Sequence, residues 1–330
     1  MFFSIIVPLY NCENFLNCLI ETLDAQTCRD FEVIFIDDKS TDSTLKSLRK
    51  LTVPTNFTYK IIESTTNKGA GLSRNLGLGK VEGKYIIFLD SDDLLDKNTV
   101  QILKNVICAN DMPDAILFDY YTIFNRKKIK CSTIPQFNEG FVSTDDAIVY
   151  STGATCCKVY KTNIIRKNNI VFPNMRTKED FIFNKTALSY CEKIYYKKSL
   201  LYNYIIRSNS VTNISNTGAP NSHIAEARAK TAFEIIEKNA SGKHIEAIYN
   251  LKIKEFLFGT VQSMLRLNDC TKNIIEFIDR FTAYFPNWYE KKNKFSLYTK
   301  VFLYFINKKN IFALKIIIHT KDNLKRILSH

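Results

Sequence analysis

The sequence has no C-x-x-C pair, no zinc-like spacing among its nine cysteines and four histidines, and no apolar run approaching eighteen residues. The first two absences exclude a structural zinc site and a thioredoxin-like redox motif. The third excludes a membrane-spanning helix by hydropathy. An odd number of thiols scattered from Cys12 to Cys270 fits free, mostly buried cysteines in a reducing compartment, and the vicinal Cys156-Cys157 pair reads as packing. No secretory leader is expected, because Phe2 to Val7 is too short, lacks a basic flank and runs into Pro8. A cytoplasmic protein follows. There is no Walker A sequence, no internal repeat and no low-complexity segment. Gly69-Ala70-Gly71 is not a dinucleotide fingerprint, since Arg74 stands at the third glycine position.

What is present is a chain of 330 residues, long enough for one large domain with an appendage or for two domains. Hydrophobic content of 45% and charged content of 24% are ordinary for a globular protein, whereas a net charge of +13 is not. Nucleic acid, an anionic membrane or a polyanionic substrate would each account for that charge. No nucleic-acid-binding motif accompanies it. The abundance of Lys, Asn, Ile and Tyr also has the flavour of an AT-rich genome, which explains part of the lysine.

The first hundred residues alternate strand and helix signals. Ser4 to Val7, Phe31 to Ile36, Tyr59 to Glu63 and Tyr85 to Leu89 read as strands. Glu13 to Gln26 and Gly71 to Lys80 read as helices, and Ser40-Thr41-Asp42-Ser43 supplies N-caps for another through Leu51. Such alternation predicts an α/β fold with a mostly parallel sheet flanked by helices. Further on, Ala115 to Tyr121 and Thr122 to Lys130 are expected as separate strands. Thr144 to Tyr150 and Thr177 to Tyr190 are expected as helices, the second with Glu179 and Asp180 in its first turn. Past Asn221 strand signals disappear and an α-helical C-terminal region is expected, giving domains of 1–215 and 216–330.

The strand Tyr85-Ile86-Ile87-Phe88-Leu89 ends in Asp90-Ser91-Asp92-Asp93, three carboxylates within four residues. Crowding like charges costs free energy, so such a cluster is either solvated or holding a cation. An EF-hand is excluded because Leu94 and Leu95 occupy a ligand position and the turn glycine. Oxygen ligands suit Mg²⁺ or Mn²⁺, which commonly bridge a carboxylate to a diphosphate. Ligands of open α/β sheets bind at the carboxyl ends of strands, where Tyr10 and Asn11, then Asp37 and Asp38, also fall. Asn67-Lys68-Gly69-Ala70-Gly71-Leu72-Ser73-Arg74-Asn75 adds glycine flexibility and two cations. A base stacked on Tyr10, a ring N–H held by Asp38 and a diphosphate–metal unit at Asp92 would make a nucleotide site.

Four motifs in order, S-I-I-V-P-L-Y-N, F-E-V-I-F-I-D-D-K-S-T-D-S-T, N-K-G-A-G-L-S-R-N and Y-I-I-F-L-D-S-D-D, resemble the bacterial family 2 inverting glycosyltransferases of the GT-A (Rossmann-like) fold. They cover about the first hundred residues. The likeness continues through Lys158-Val159-Tyr160-Lys161, Ile170-Val171-Phe172-Pro173, Lys178-Glu179-Asp180 and Tyr204 to Ser210. The resemblance implies that Pro8 and Tyr10 line the base pocket and that Asp38 reads the uracil edge. Asp90 and Asp92 would form the Asp-x-Asp motif, Asp92 as principal ligand of Mn²⁺ or Mg²⁺ and Asp90 nearer the sugar or ribose hydroxyls. Arg74 would hold the diphosphate and the local carboxylates, Asp180 would be the general base, and Arg207 would lie near the leaving diphosphate. Asp37 and Asp93 would be supporting neighbours.

The implied function is transfer of a sugar from a UDP-sugar to an acceptor hydroxyl of a bacterial surface glycan such as a lipooligosaccharide, a capsule or a lipid-linked oligosaccharide. A sugar nucleotidyltransferase is the competing enzyme, disfavoured because Pro8-Leu9-Tyr10-Asn11 stands where a glycine-rich, lysine-bearing loop belongs. A non-catalytic basic protein of the membrane surface is the competing class. Glu290 to His330 carries ten Lys/Arg against two acidic residues, a net of +8 (ten minus two). Tyr298, Val301, Phe302 and Phe305 fall at helical spacing there, continued by Leu314, Ile317, Ile318, Leu324 and Leu328. That pattern suits either docking on an anionic membrane at the inner face of the cytoplasmic membrane or a core-facing helix with solvated lysines.

Overall fold

Apolar runs without polar alternation become strands buried along their whole length. Strand β1 (Phe3–Leu9) pairs in parallel with β2 (Phe31–Asp37) and β4 (Tyr85–Phe88), and β2 pairs in parallel with β3 (Thr58–Glu63). The computed structural model of the chain describes residues 1–50, 56–207, 222–267 and 269–328. Helices α1 (Glu13–Asp24), α2 (Thr44–Arg49) and α3 (Ala70–Leu78) connect these strands. α4 (Thr99–Ala109) follows a two-residue strand, β5 (Leu94–Leu95). Leu16, Leu19 and Leu23 of α1 and Val100, Leu103 and Ile107 of α4 join the core with Phe3, Ile5 and Val7 of β1. α3 lies against the opposite sheet face, where Ile6 and Ile36 crowd Gly77. Helices therefore cover both faces, as the alternation predicts.

The sheet continues through β6 (Ala115–Phe124), β7 (Lys127–Cys131), β8 (Gly140–Val142), β9 (Lys158–Lys161) and β10 (Ile194–Ile205). Its order is β3-β2-β1-β4-β9-β6-β10-β5, with β7 on β6 and β8 on β10. β9 runs antiparallel to both β4 and β6, while β10 runs parallel to β6, so the parallel first half leads into a mixed second half. α5 (Thr144–Tyr150), α6 (Thr162–Lys167) and α7 (Glu179–Leu188) intervene. Residues 115–124 are one strand, not two breaking after Tyr121. The chain reverses later, at Asn125 and Arg126, whose φ of 47° and 65° form the tight hairpin turn. α7 starts two residues later than expected because Lys178 adopts φ 70°, outside the helical region. α2 ends at Arg49, and the expected end at Leu51 lies outside the described residues. All nine cysteines are free, and Cys156 and Cys157 are buried.

Two compact units are distinguished, Met1–Ser210 with Glu234–Ile245 and Val211–Phe233 with Glu246–His330. The expected boundary between 215 and 216, like Ser208 to Ser210 of the family pattern, lies outside the described residues. The chain beyond the sheet is helical in its described residues. It comprises α8 (Ser222–Asn239), α9 (Ile245–Leu251), a π-helical stretch Lys252–Phe258, α10 (Gly259–Arg266), α11 (Thr271–Tyr284), α12 (Leu297–Asn307) and α13 (Ile311–Leu328). Local signals set these starts: the side chains of Cys270, Ser296 and Asn310 accept from backbone N–H groups in the first turns of α11, α12 and α13. The second unit's core gathers Leu257, Val261, Phe277, Phe281, Trp288 and Phe302.

The expected stripe on α12 is only partly the buried one. Phe302, Leu303 and Ile306 are buried, whereas Val301 is 41% exposed. Phe302 and Tyr298 pack on Phe258 at 4.9 and 6.1 Å between ring centres, so two of the four rings and chains expected to meet lipid serve the core instead. The side chains of Leu324 and Leu328 lie outside the described residues.

Candidate active site

Asp38 leaves the end of β2 buried, and its carboxylate accepts from the backbone N–H of Lys68 at 2.9 and 3.1 Å and of Gly69 at 2.7 Å. Gly69 has φ 85°, a conformation that favours glycine, and α3 begins at the next residue. Asp38 thereby fixes the start of the helix that carries Arg74. The β1 and β2 ends are also tied together. Thr41 N–H donates to Asn11 Oδ1 at 2.8 Å, and Asn11 N–H donates to Ser40 Oγ at 3.1 Å. Pro8 is buried within β1, while Tyr10 just beyond it is 49% exposed, leaving an open aromatic face beside these loops.

Arg74 is buried and spans two carboxylates, one 16 and the other 106 residues away in sequence. Nη1 donates to Asp180 Oδ1 at 2.9 Å and Nη2 to Asp90 Oδ1 at 2.5 Å. The forked, planar guanidinium suits this double contact in a way an ammonium does not. Its plane is 5.3 Å from the Phe172 ring centre, and Phe172 stacks on Phe183 of α7 at 4.0 Å. The Asn75 side chain bonds both the N–H and C=O of Phe172, locking that wall to α3. Burial opposes the charge of Arg74, but Asp180 and Asp90 outweigh it and hold its pKa above the ordinary arginine value.

The Asp-x-Asp loop is organised by a tyrosine that sequence reasoning did not single out. Tyr202 of β10 donates its hydroxyl to Asp93 Oδ2 at 2.7 Å and accepts from the Asp90 N–H at 3.2 Å. Asp93 Oδ1 accepts from Ile205 N–H at 2.8 Å. Burial, with Asp90 as the next cause, lifts the Asp93 carboxyl well above the usual range. Asp93 is therefore a buried organiser of the loop, and Asp90 and Asp92 are left about one-third exposed. Burial and the like charge of Asp90 also raise Asp92. Arg207 Nη2 donates to the Asp92 carbonyl at 2.9 Å, its Nε lies 3.8 Å from Asp92 Oδ2, and its guanidinium sits 3.2 Å from the Phe15 ring centre.

Asp180 lies in the first turn of α7 with its side chain one-third exposed. Burial raises its pKa and Arg74 pulls it back, with a net rise above the ordinary carboxylate value. Thr155 is a further hydrogen-bond partner. Asn184, a turn along α7, donates to Gly153 C=O at 2.7 Å and to Thr155 Oγ1 at 3.2 Å, fixing that loop beside Asp180. Burial raises Glu179 as well, and its side chain packs against Gly71.

The structure thus gathers Arg74, Asp90, Asp92, Asp180 and Arg207 around the carboxyl ends of β4 and β10. Tyr202 and Phe15 are neighbours of this cluster that the sequence did not mark, whereas Phe172 lies in the segment Ile170-Val171-Phe172-Pro173 already quoted in the family likeness. Phe15 reads as one more apolar residue of a helix face, and Tyr202 as one tyrosine among several in its strand. Among the described residues no group of three His, Cys, Asp or Glu is arranged to hold a metal. A carboxylate pair is nonetheless the ordinary protein share of a Mg²⁺ or Mn²⁺ site whose remaining ligands are phosphate and water. The like-charge crowding of Asp90 and Asp92 fits such a cation.

Residues 4–167 match the model described as Glycosyl transferase family 2. The poly(ribitol-phosphate) beta-N-acetylglucosaminyltransferase TarS of Staphylococcus aureus is 28% identical over 260 residues, 78% of this chain and 44% of that protein. A poly(ribitol-phosphate) beta-glucosyltransferase of Bacillus spizizenii is 29% identical over 215 residues, 62% of this chain and 32% of that protein. The chain spans less than half the length of these curated relatives. The crystal structure of S. aureus TarS 1-349 in complex with UDP shares the fold, with a TM-score of 0.69 at 22% identity over 98% of this chain and 92% of that one.

Proposed function

Because this chain belongs to glycosyl transferase family 2, we propose that it is an inverting glycosyltransferase that moves a sugar from a UDP-sugar to an acceptor hydroxyl of a bacterial surface glycan. The observation that carries this reading is the Arg74 fork joining Asp90 of the Asp-x-Asp loop to Asp180. It sets a donor-side carboxylate and a candidate base on one rigid group. A raised pKa improves a carboxylate as a general base, and Asp180 Oδ2 takes the acceptor proton as its oxygen attacks. Direct displacement by that oxygen inverts the anomeric centre.

Tyr10 stacks the uracil, within a pocket edged by Pro8, and Asp38 keeps a lone pair for the uracil N–H beyond the two amides it already holds. Arg207 meets the leaving diphosphate. Asp92, aided by Asp90, would hold a divalent Mn²⁺ or Mg²⁺, which when bound stabilises the diphosphate leaving group as a Lewis acid. Residues 1–215 form the catalytic domain in this reading, and 216–330 a helical region. We place the protein in the cytoplasm, peripheral to the inner face of the membrane. The net charge of +13 suits an anionic surface or a polyanionic acceptor such as the poly(ribitol-phosphate) in the names of two relatives.

Incubation with a panel of UDP-sugars and surface-glycan acceptors, with the product anomer assigned by NMR, tests the proposal. Wild type is expected to give the inverted product. Asp180→Asn is expected to lose turnover by about 10²–10⁴-fold with UDP binding near wild type. A retained anomer, or a nucleotidyl product, would overturn it.

A further inference from the structure

We infer that the C-terminal unit carries a second apolar face, built from the outward sides of α12 and α13, and that this face docks on an anionic phospholipid bilayer. The inference deepens the membrane-surface part of the function proposed above and is independent of its sugar chemistry. An ordinary amphipathic surface helix buries one stripe and turns charged residues outward. α12 departs from that pattern. It buries Phe302, Leu303 and Ile306, yet Leu297, Val301 and Tyr304, spaced i, i+4, i+7 on the opposite side, are 77%, 41% and 45% exposed. α13 repeats the arrangement, burying Ile311, Leu314 and Ile318 while Phe312 and Ile316 are 76% and 51% exposed. The two helices pack on each other within one unit. Five large apolar side chains thus stand in solvent along consecutive helices whose cores are already made by other residues.

Charge decides the occupant. Lys300, Lys308 and Lys315 flank these outward faces and pair with no carboxylate among the described residues, whereas Lys309 pairs with Asp279. The α12–α13 turn forms a shallow hollow lined by Lys308, Lys309, Asn310, Phe312 and Lys315, so an exposed ring stands among cations. Apolar and tyrosine side chains beside lysines match the headgroup boundary of a bilayer, where the former sink and the latter reach phosphate. No helix among the described residues is long and apolar enough to cross a membrane, so contact lies in the interface plane.

Flotation of the full chain with vesicles tests the inference. Binding to phosphatidylcholine–phosphatidylglycerol vesicles at low salt is expected, with little binding to phosphatidylcholine alone and a loss at high salt. Each lysine changed among Lys300→Gln, Lys308→Gln and Lys315→Gln is expected to weaken partition about fivefold. Leu297→Ser with Phe312→Ser is expected to abolish flotation while the circular dichroism spectrum, UDP affinity and transfer to a soluble acceptor stay at wild-type values. No binding to the anionic vesicles, or binding indifferent to Leu297→Ser/Phe312→Ser, overturns the inference. So does a lipid-free dimer that this double variant dissolves, since the face would then join two copies. Transfer to a soluble acceptor is read separately, so failure here leaves the proposed reaction intact and the converse also holds.

Discussion

The Arg74 guanidinium holds Asp180 at 2.9 Å although the two residues are 106 apart in sequence. The same guanidinium reaches Asp90, so the proposed base and the Asp-x-Asp loop are tied through one side chain. The planar fork meets each carboxylate with a separate nitrogen, Nη1 on Asp180 and Nη2 on Asp90. Burial favours the protonated form of Asp180 and the arginine favours its ionised form; burial wins, but the arginine limits the margin.

That balance makes a pH prediction. Only ionised Asp180 can accept a proton, so kcat/KM falls as pH falls through its raised pKa, and the acid limb should lie above the ordinary carboxylate range. Arg74→Gln removes the charge that lowers it, and the limb should move to higher pH. A pH–rate profile of the variant measures the move. A limb in the same place would assign the titration to another group.

Metal dependence is expected to act through Asp92. Asp92→Asn keeps the shape and removes a charge that Asp90 already crowds. UDP affinity in Mn²⁺ should fall by at least about 10-fold, on the scale of losing a coordinating partner, with no change when metal is chelated. Calorimetric titration in both conditions gives the comparison. Equal losses with and without metal would mean that Asp92 touches the nucleotide directly.

Asp93 and Tyr202 are expected to act on stability first. Burial pushes the Asp93 carboxyl toward its neutral form, so Asp93→Asn, which keeps the shape and a polar group on each arm, should unfold at nearly the wild-type denaturant midpoint. Asp93→Ala strands the Tyr202 hydroxyl and the Ile205 N–H and should cost about 1–3 kcal/mol. Urea titration of both variants tests the contrast. Equal destabilisation would show that an amide cannot replace the carboxyl in the contacts to Tyr202 and Ile205.

Two glycines set the approach of loop and helix to β1. A Cβ at Gly83 would stand 2.5 Å from the Phe3 carbonyl carbon and the Ser4 nitrogen, which are backbone and cannot yield. A Cβ at Gly77 would stand 2.7 Å from Ile6 Cγ2, a branch methyl next to the backbone, and 3.0 Å from Ile36 Cδ1, side-chain atoms with more give than backbone. Gly83→Ala should therefore cost roughly 3 kcal/mol or more. Gly77→Ala should cost about 0–2 kcal/mol, because overpacking of about 1–3 is offset by roughly 1 of helix propensity. Thermal denaturation ranks the pair. The reverse order would contradict the packing described.

The sequence by itself determined the α/β character of the first hundred residues, the carboxylates at the end of β4, the place of Asp180 in the first turn of α7 and the helical nature of the chain past Asn221. Each is a local matter of hydrophobic period, turn residues or caps, read within a dozen neighbours. It misjudged the break in 115–130, because Thr122 and Ile123 stay in β6 by pairing with Tyr204 and Ile205 far along the chain. Tertiary structure alone decided that Arg74 spans Asp90 and Asp180, and that Arg207 reaches Asp92 across 115 residues. It also made Tyr202 the residue that organises the Asp-x-Asp loop, and it chose which side of α12 is covered. The reason is geometric: strand order β4-β9-β6-β10 fixes which strand ends are neighbours, and helical spacing shows that a stripe is apolar without showing what packs on it.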